Sequence, residues 1–368
     1  MKKTMKSDLD RFNSLITTLG LQRKTYKILK RFNTFFLEDK LIKLNLSGLE
    51  LKWLPDVIYE FNHLQKLDLT NNQIEAIDEK IGNLQHLISL NLQSNFLEDL
   101  PESILNLKRL KYLDLGRNFF EQFSNKIEKL TELQELNLIH NRLMFLPPTL
   151  VSLKKLRRLS LRSNKLIELP ENIGDLEKLN YMNLQDNHLE TLPESIGNLT
   201  KLTRLDLRSN RLSSLPETIG KLKNLDRIEL GMNNLTGLPT SIGKLSNLGE
   251  LGLYHNQLRT LPKSIKDLNN LEILNLKKNK LTELPEEFTK LINLREFNVS
   301  QNELTQLPNG FDNLKNLQFF NISNNHLKVL PKSLEKLTNL QILNIRNNKN
   351  LKVEINAQNF PHLVRFEK

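Results

Sequence analysis

From residue 41 onward, apolar and polar positions follow one 23-residue period. Leu recurs at 41, 64, 87, 110, 133, 156, 179, 202, 225, 248, 271, 294, 317 and 340, with no insertion between steps. An apolar residue stands three and five places after each, as in Leu44 and Leu46, Leu159 and Leu161, Met182 and Leu184, or Phe320 and Ile322. Eight places after comes Asn in every unit from Asn72 to Asn348, with Leu49 in its place in the first. The alternation L-x-x-L-x-L predicts a short strand with Leu inward and the intervening residues outward. One such unit cannot bury its apolar face, but stacked copies can. The Asn is predicted to turn inward, its amide both accepting from and donating to the backbone of adjacent coils.

The second half of each unit reads x-x-L-P-x-x-I-x-x-L. Pro fills one slot from Pro55 to Pro331, with Asp78 and Ser124 replacing it in the second and fourth units. Lacking an N–H, Pro suits a side that needs no sheet ladder. Gly82, Gly174, Gly197, Gly220 and Gly243 follow Ile in this segment and read as turn glycines. Strands about 4.8 Å apart, backed by bulkier outer segments, predict a stack curved with its parallel sheet inside, an inner arc of roughly 60–65 Å.

Segments such as Leu169–Leu176 and Leu192–Leu199, both L-P-x-x-I-G-x-L, resemble the Ras-scaffold type of leucine-rich repeat. That group holds the Shoc/Sur-type scaffolds, the plant intracellular Ras-group-related proteins, the Scribble-like proteins and many bacterial members. The resemblance runs from residue 41 to about residue 350. It implies an α/β solenoid, a horseshoe of about 14 repeats with a parallel concave sheet, that binds other proteins and has no enzymatic activity. An intracellular signalling scaffold or adaptor is the expected role. A secreted or injected bacterial effector or adhesin is the alternative.

Three segments are expected: an N-terminal helical cap over 1–40, repeats over 41–347 and a C-terminal cap over 348–368. In the first, residues 7–19 fit an amphipathic helix capped by Ser7 and stopped by Gly20. A second helix is expected over 22–37, with Arg23, Lys24, Lys27 and Arg31 outside. At the far end Leu351, Val353 and Ile355 alternate as a strand, and Phe360, Leu363, Val364 and Phe366 are expected to close the stack. Asn348-Lys349-Asn350-Leu351 reads as one residue longer than the repeat.

Composition narrows the chemistry. The absence of Cys removes disulfides, thiolate metal sites and thiol nucleophiles. The seven His show no H-E-x-x-H, and no phosphate-loop motif occurs. No catalytic residue, metal site or cofactor is expected. No apolar run reaches membrane-spanning length. Asp8, Asp10 and Arg11 break any signal-peptide core, so a cytoplasmic monomer is expected. Net charge is +11, yet the first 40 residues alone hold ten basic and four acidic side chains. The near-balanced remainder disfavours a nucleic-acid groove. Contact of the basic N-terminal segment with an anionic membrane is a lesser alternative to its role as a cap.

Counting each unit's first Leu as position one, positions two, three, five, seven and eight face the inner solvent. They hold nine of the 17 Arg but only five of the 36 Lys. Arg and Tyr are enriched at binding hot spots and Lys is depleted. The candidate protein-binding residues are Tyr112, Arg157, Arg158, Arg162, Tyr181, Arg204, Arg208, Arg227 and Tyr254, and the partner surface is expected to be acidic. The competing expectation is self-pairing with Glu135, Asp186, Asp206, Glu229 and Glu250. Phe319 and Ile342 form a secondary apolar patch near the C-terminus.

Overall fold

The computed structural model describes residues 7–20 and 34–368, the side chain of Ala357 apart. Arg23, Lys24, Lys27 and Arg31, with most of the second expected helix, lie outside the described residues. The chain divides into two compact units, Met1–Leu166 and Ile167–Lys368.

The first unit opens with the helix Asp8–Thr18. Ser7 Oγ accepts the Asp10 N–H at 3.1 Å, and the Asp10 carboxylate accepts the Ser7 N–H at 3.2 Å. This reciprocal cap satisfies donors that a helix start leaves open. Phe12, Leu15 and Ile16 are buried beneath it. The buried Asp8 accepts the Leu41 N–H at 2.9 Å and is balanced by Arg11 at 2.9 Å. The expected second helix does not extend to residue 37: Phe35–Leu37 is a strand, paired antiparallel with Lys40–Asn45. Glu38, at φ 54°, makes the turn. The hairpin occupies an edge that a helix would leave without backbone partners. Five parallel strands follow in register, from Lys66–Asp68 to Arg158–Ser160.

The second unit holds nine parallel strands in sequence order, from Tyr181–Asn183 to Arg365–Glu367. The last departs from the expected end. Leu363 follows Leu340 at the same period, so one further unit is begun. Residues 351–355 form no strand, only the bridge Val329–Lys352. Val364 does not close a core: it is 85% exposed, while Phe360 is buried.

Both units share one cross-section. The periodic Leu residues of the strands are buried, as are the Ile and Leu of the outer segment. That segment winds into short 3-10 helices such as Glu194–Asn198 and Glu217–Lys221, with Pro193 and Pro216 at their N-caps. Pro there has its natural φ and no donor to lose. Every Asn of the column is buried. Asn233 is representative: its Oδ1 accepts the Leu212 N–H at 3.0 Å, and its Nδ2 donates to Leu207 O at 2.9 Å and Leu230 O at 3.0 Å. Leu207 and Leu212 belong to the preceding repeat, so the amide stitches two coils.

The residue just before each Asn is left-handed. From Asn71 to Asn347 its φ lies between 50° and 58°, whether the side chain is Ser, Arg, His, Met, Lys or Gln. The glycines after Ile serve a different purpose from the expected turns. A Cβ on Gly174 would lie 2.1 Å from Ser195 O, and one on Gly197 would lie 2.3 Å from Thr218 O. They are sites of close approach between successive outer segments.

Candidate protein-binding surface

The outward strand positions make a polar open face in each unit, opposite the buried Leu rows. In the first unit this face carries Tyr112, Arg157, Arg158 and Arg162, all exposed, with Tyr112 in strand register with Ser89 and Glu135. Arg158 is in register with Glu135 on the neighbouring strand. Below Tyr112, Asp114 accepts from Asn137 Nδ2 at 2.9 Å and from the Gly116 N–H at 2.9 Å. Burial pushes its carboxyl above the ordinary value despite these bonds.

In the second unit Tyr181, Arg204, Arg227 and Glu250 stand side by side across four strands. Arg227 is held on both sides. Its Nη2 donates to Glu229 Oε1 at 2.7 Å and its Nη1 lies 2.9 Å from Glu250 Oε2. Glu229 is buried, so this guanidinium neutralises a charge whose desolvation would otherwise be costly. Burial raises the Glu250 carboxyl above its ordinary value, Arg227 opposes the shift and Glu229 adds to it. Arg208 grips Asp206 through two donors, Nε to Oδ1 at 2.9 Å and Nη2 to Oδ2 at 2.5 Å, and reaches Gln185 Oε1 at 3.2 Å. The Asp206 hydrogen bonds push its pKa further up. Arg204 is exposed and, among the described residues, makes no ion pair.

Self-pairing therefore occupies Arg208 and Arg227 and leaves Arg204 with a solvated, unmatched charge. Tyr181 is half-buried and accepts from Asn183 Nδ2 at 3.3 Å. Tyr254 lies flat on the sheet: a Cβ on Gly231 would be 2.2 Å from its Cε1. Likewise the Glu229 carboxylate lies over Gly252, where a Cβ would meet Oε2 at 2.0 Å. These two glycines shape the face and were missed in the sequence. The available signal was their interruption of the polar run at positions seven and five. Phe319 and Ile342 are in register on adjacent strands, both half-buried, between Glu296 and Arg365. No group of three or more His, Asp or Glu that could hold a metal is present among the described residues. No helix among them is long and apolar enough to cross a membrane.

Comparison with known proteins agrees with this cross-section. The leucine-rich repeat region family matches residues 44–166, 146–236, 166–256 and 239–364. Among curated proteins no match is found. A leucine-rich repeat protein of Leptospira interrogans is 33% identical with a TM-score of 0.71, over 85% of this chain and 95% of that one. The plant peptide hormone receptor RGFR1, solved in complex with RGF2, is 27% identical with a TM-score of 0.64, over 89% of this chain and 62% of the receptor. An internalin of Listeria monocytogenes, 22% identical with a TM-score of 0.72 over 90% of this chain and 94% of its own, shares the fold. A 23-residue period, a buried Asn column, in-register parallel strands and a family match spanning nearly the whole chain lead to one conclusion: this chain belongs to the leucine-rich repeat proteins.

Proposed function

We propose that the chain is a non-enzymatic scaffold that binds a protein partner on the open face of its sheets. The observation that carries this reading is Arg204. It is an exposed guanidinium with no ion pair among the described residues, set in register between Tyr181 and Arg227, on a face whose other second-unit Arg residues are already neutralised. Arg and Tyr are both enriched at the hot spots of protein interfaces. A partner presenting Asp or Glu would give this Arg a charge-assisted, bidentate bond. The RGFR1 structure, with its bound RGF2, supports a protein or peptide as the ligand class. The finer reading is the Ras-scaffold type acting in the cytoplasm as a monomer, and it rests on the L-P-x-x-I-G-x-L units. A second reading is a bacterial interaction protein exported as an effector or adhesin; the likeness to a Leptospira interrogans leucine-rich repeat protein supports its bacterial part alone. Detection of the chain in the medium of its native cells selects the second.

The test is affinity capture from native cells with the wild type and Arg204→Glu. Arg204 makes no ion pair among the described residues, so the variant is expected to keep its melting temperature. Capture of the partner should fall by about 30-fold, the usual cost of losing an Arg hot spot. Undiminished capture by Arg204→Glu with an intact fold would reject this face as the site.

A further inference from the structure

A second surface lies on the flank of the first unit, where the chain leaves the strands. Position ten of three successive repeats carries Phe96, Phe119 and Arg142. The two rings are stacked, 5.8 Å apart and 10° from parallel. The Arg142 guanidinium sits 4.5 Å from the Phe119 centroid and 3.9 Å from Glu121. Phe96 remains 44% exposed, and two repeats further on, in the repeat of Arg142, Met144 and Phe145 are 48% and 49% exposed. The fold does not demand aromatics here, because Gln73, Lys165 and His188 fill the same position elsewhere.

Beside this strip the outer column is irregular. Ser124 stands where Pro is the rule, and a cavity of about 630 Å³ opens against Phe119 and Phe123. Its lining includes Glu98, Asp99, Glu102 and Glu121, and no Lys or Arg. Lys126 pairs with Glu102, and Arg142 reaches Glu121. Among the described residues Glu98 and Asp99 have no cation. The strip is thus an apolar wall beside an under-neutralised acidic cavity.

We propose that this flank, from Phe96 to Phe145, docks a basic amphipathic segment of a partner protein. A Lys or Arg of that segment enters the cavity beside Glu98 and Asp99, and its apolar side chains cover Phe96, Met144 and Phe145. Arg142 displays the same chemistry within the chain, a guanidinium over an aromatic face with a carboxylate alongside. A purely apolar occupant would desolvate the carboxylates without compensation. Because the whole chain carries +11, a cationic segment is repelled at long range and is held only by a local acidic site. This surface is separate from the open sheet face, so its test does not depend on that reading.

The probe is a fluorescein-labelled peptide repeating Arg-Leu-Lys-Phe three times, titrated with the full chain and followed by fluorescence anisotropy. Saturable binding is expected. Glu98→Lys combined with Asp99→Lys should weaken it by about tenfold or more, as should Phe96→Ala. Arg204→Glu should leave it unchanged. Thermal melts confirm that the variants fold, since the substituted side chains are exposed. The proposal is overturned by absent or non-saturable binding, by flank variants that bind as wild type, or by equal loss in Arg204→Glu. It is also overturned if an all-Lys peptide of the same length binds as tightly, because the aromatic wall then plays no part.

Discussion

Removing the amide of Asn233 would leave the buried Leu212 N–H without its acceptor, and would take one of two amide donors from each of Leu207 O and Leu230 O, which keep those of Asn210 and Asn256. Asn233→Ala is expected to lower unfolding stability by about 1–3 kcal/mol, read from the urea midpoint at unchanged slope. An unaltered midpoint would mean that water reaches these groups. One residue upstream of each such Asn the backbone carries a cost of its own. Lys278 holds φ 58°, a region that disfavours any side chain with a Cβ. Lys278→Gly is expected to stabilise by about 0.5–1 kcal/mol, the relief of local strain exceeding the entropy that Gly adds to the unfolded chain. A melting temperature below wild type would show that the Lys side chain contributes more than its backbone costs. The sequence displayed the first of these columns and hid the second. The Asn bonds need an amide, so residue identity is constant and visible. The left-handed turn needs only a backbone angle, and Ser94, Arg117, Met232 and Gln301 all meet it without sharing a chemical signature.

At the level of elements, the spacing between outer segments is set where side chains are missing. Gly197→Ala places a methyl 2.3 Å from Thr218 O, and overpacking of this kind costs about 1–3 kcal/mol. Calorimetry showing no loss would require the two segments to slide apart. Read from sequence, Gly197 was a turn residue; what distinguishes it is the neighbouring backbone one repeat away, which no local window contains. The strand pair Arg227–Glu229 and Glu250–Gly252 carries a pH dependence. The Glu250 carboxyl is raised in the folded chain, so the folded state binds its proton more readily than the unfolded state does. Stability therefore falls as pH rises from the ordinary carboxylate value through the raised one. Urea midpoints taken between about pH 4 and 7 should show this slope in wild type and lose its Glu250 component in Glu250→Gln. Identical slopes would assign the dependence to other carboxylates. The Arg enrichment on the open face was legible as a count. Its division into paired Arg208 and Arg227 and unpaired Arg204 was not, because it depends on which carboxylate each guanidinium reaches across and along the strands.

For the molecule as a whole, the period was legible and the ends only in part: the helix capped by Ser7 was read, the hairpin after it and the last strand were not. Fourteen in-phase Leu residues determine register, strand direction and the inward and outward faces without further information. The ends are each made once, so no repetition reinforces them. Phe35–Leu37 follows a helix-like apolar run yet pairs as a strand, and Leu363 continues a period that its irregular approach obscured. Deleting residues 1–33 removes the cover supplied by Phe12, Leu15 and Ile16, and the Asp8 bond to Leu41. The truncated chain is expected to elute as aggregate in size-exclusion chromatography; a monodisperse product would show that the first repeat needs no cover. The direction of the Asn bonds has a consequence for synthesis. Within each unit the column Asn reaches back to the repeat before it, as Asn210 does when it accepts the Leu189 N–H. A repeat emerging from the ribosome therefore stays unlatched until its successor arrives, and the nascent chain closes from its N-terminus in single clicks, always one unit behind translation.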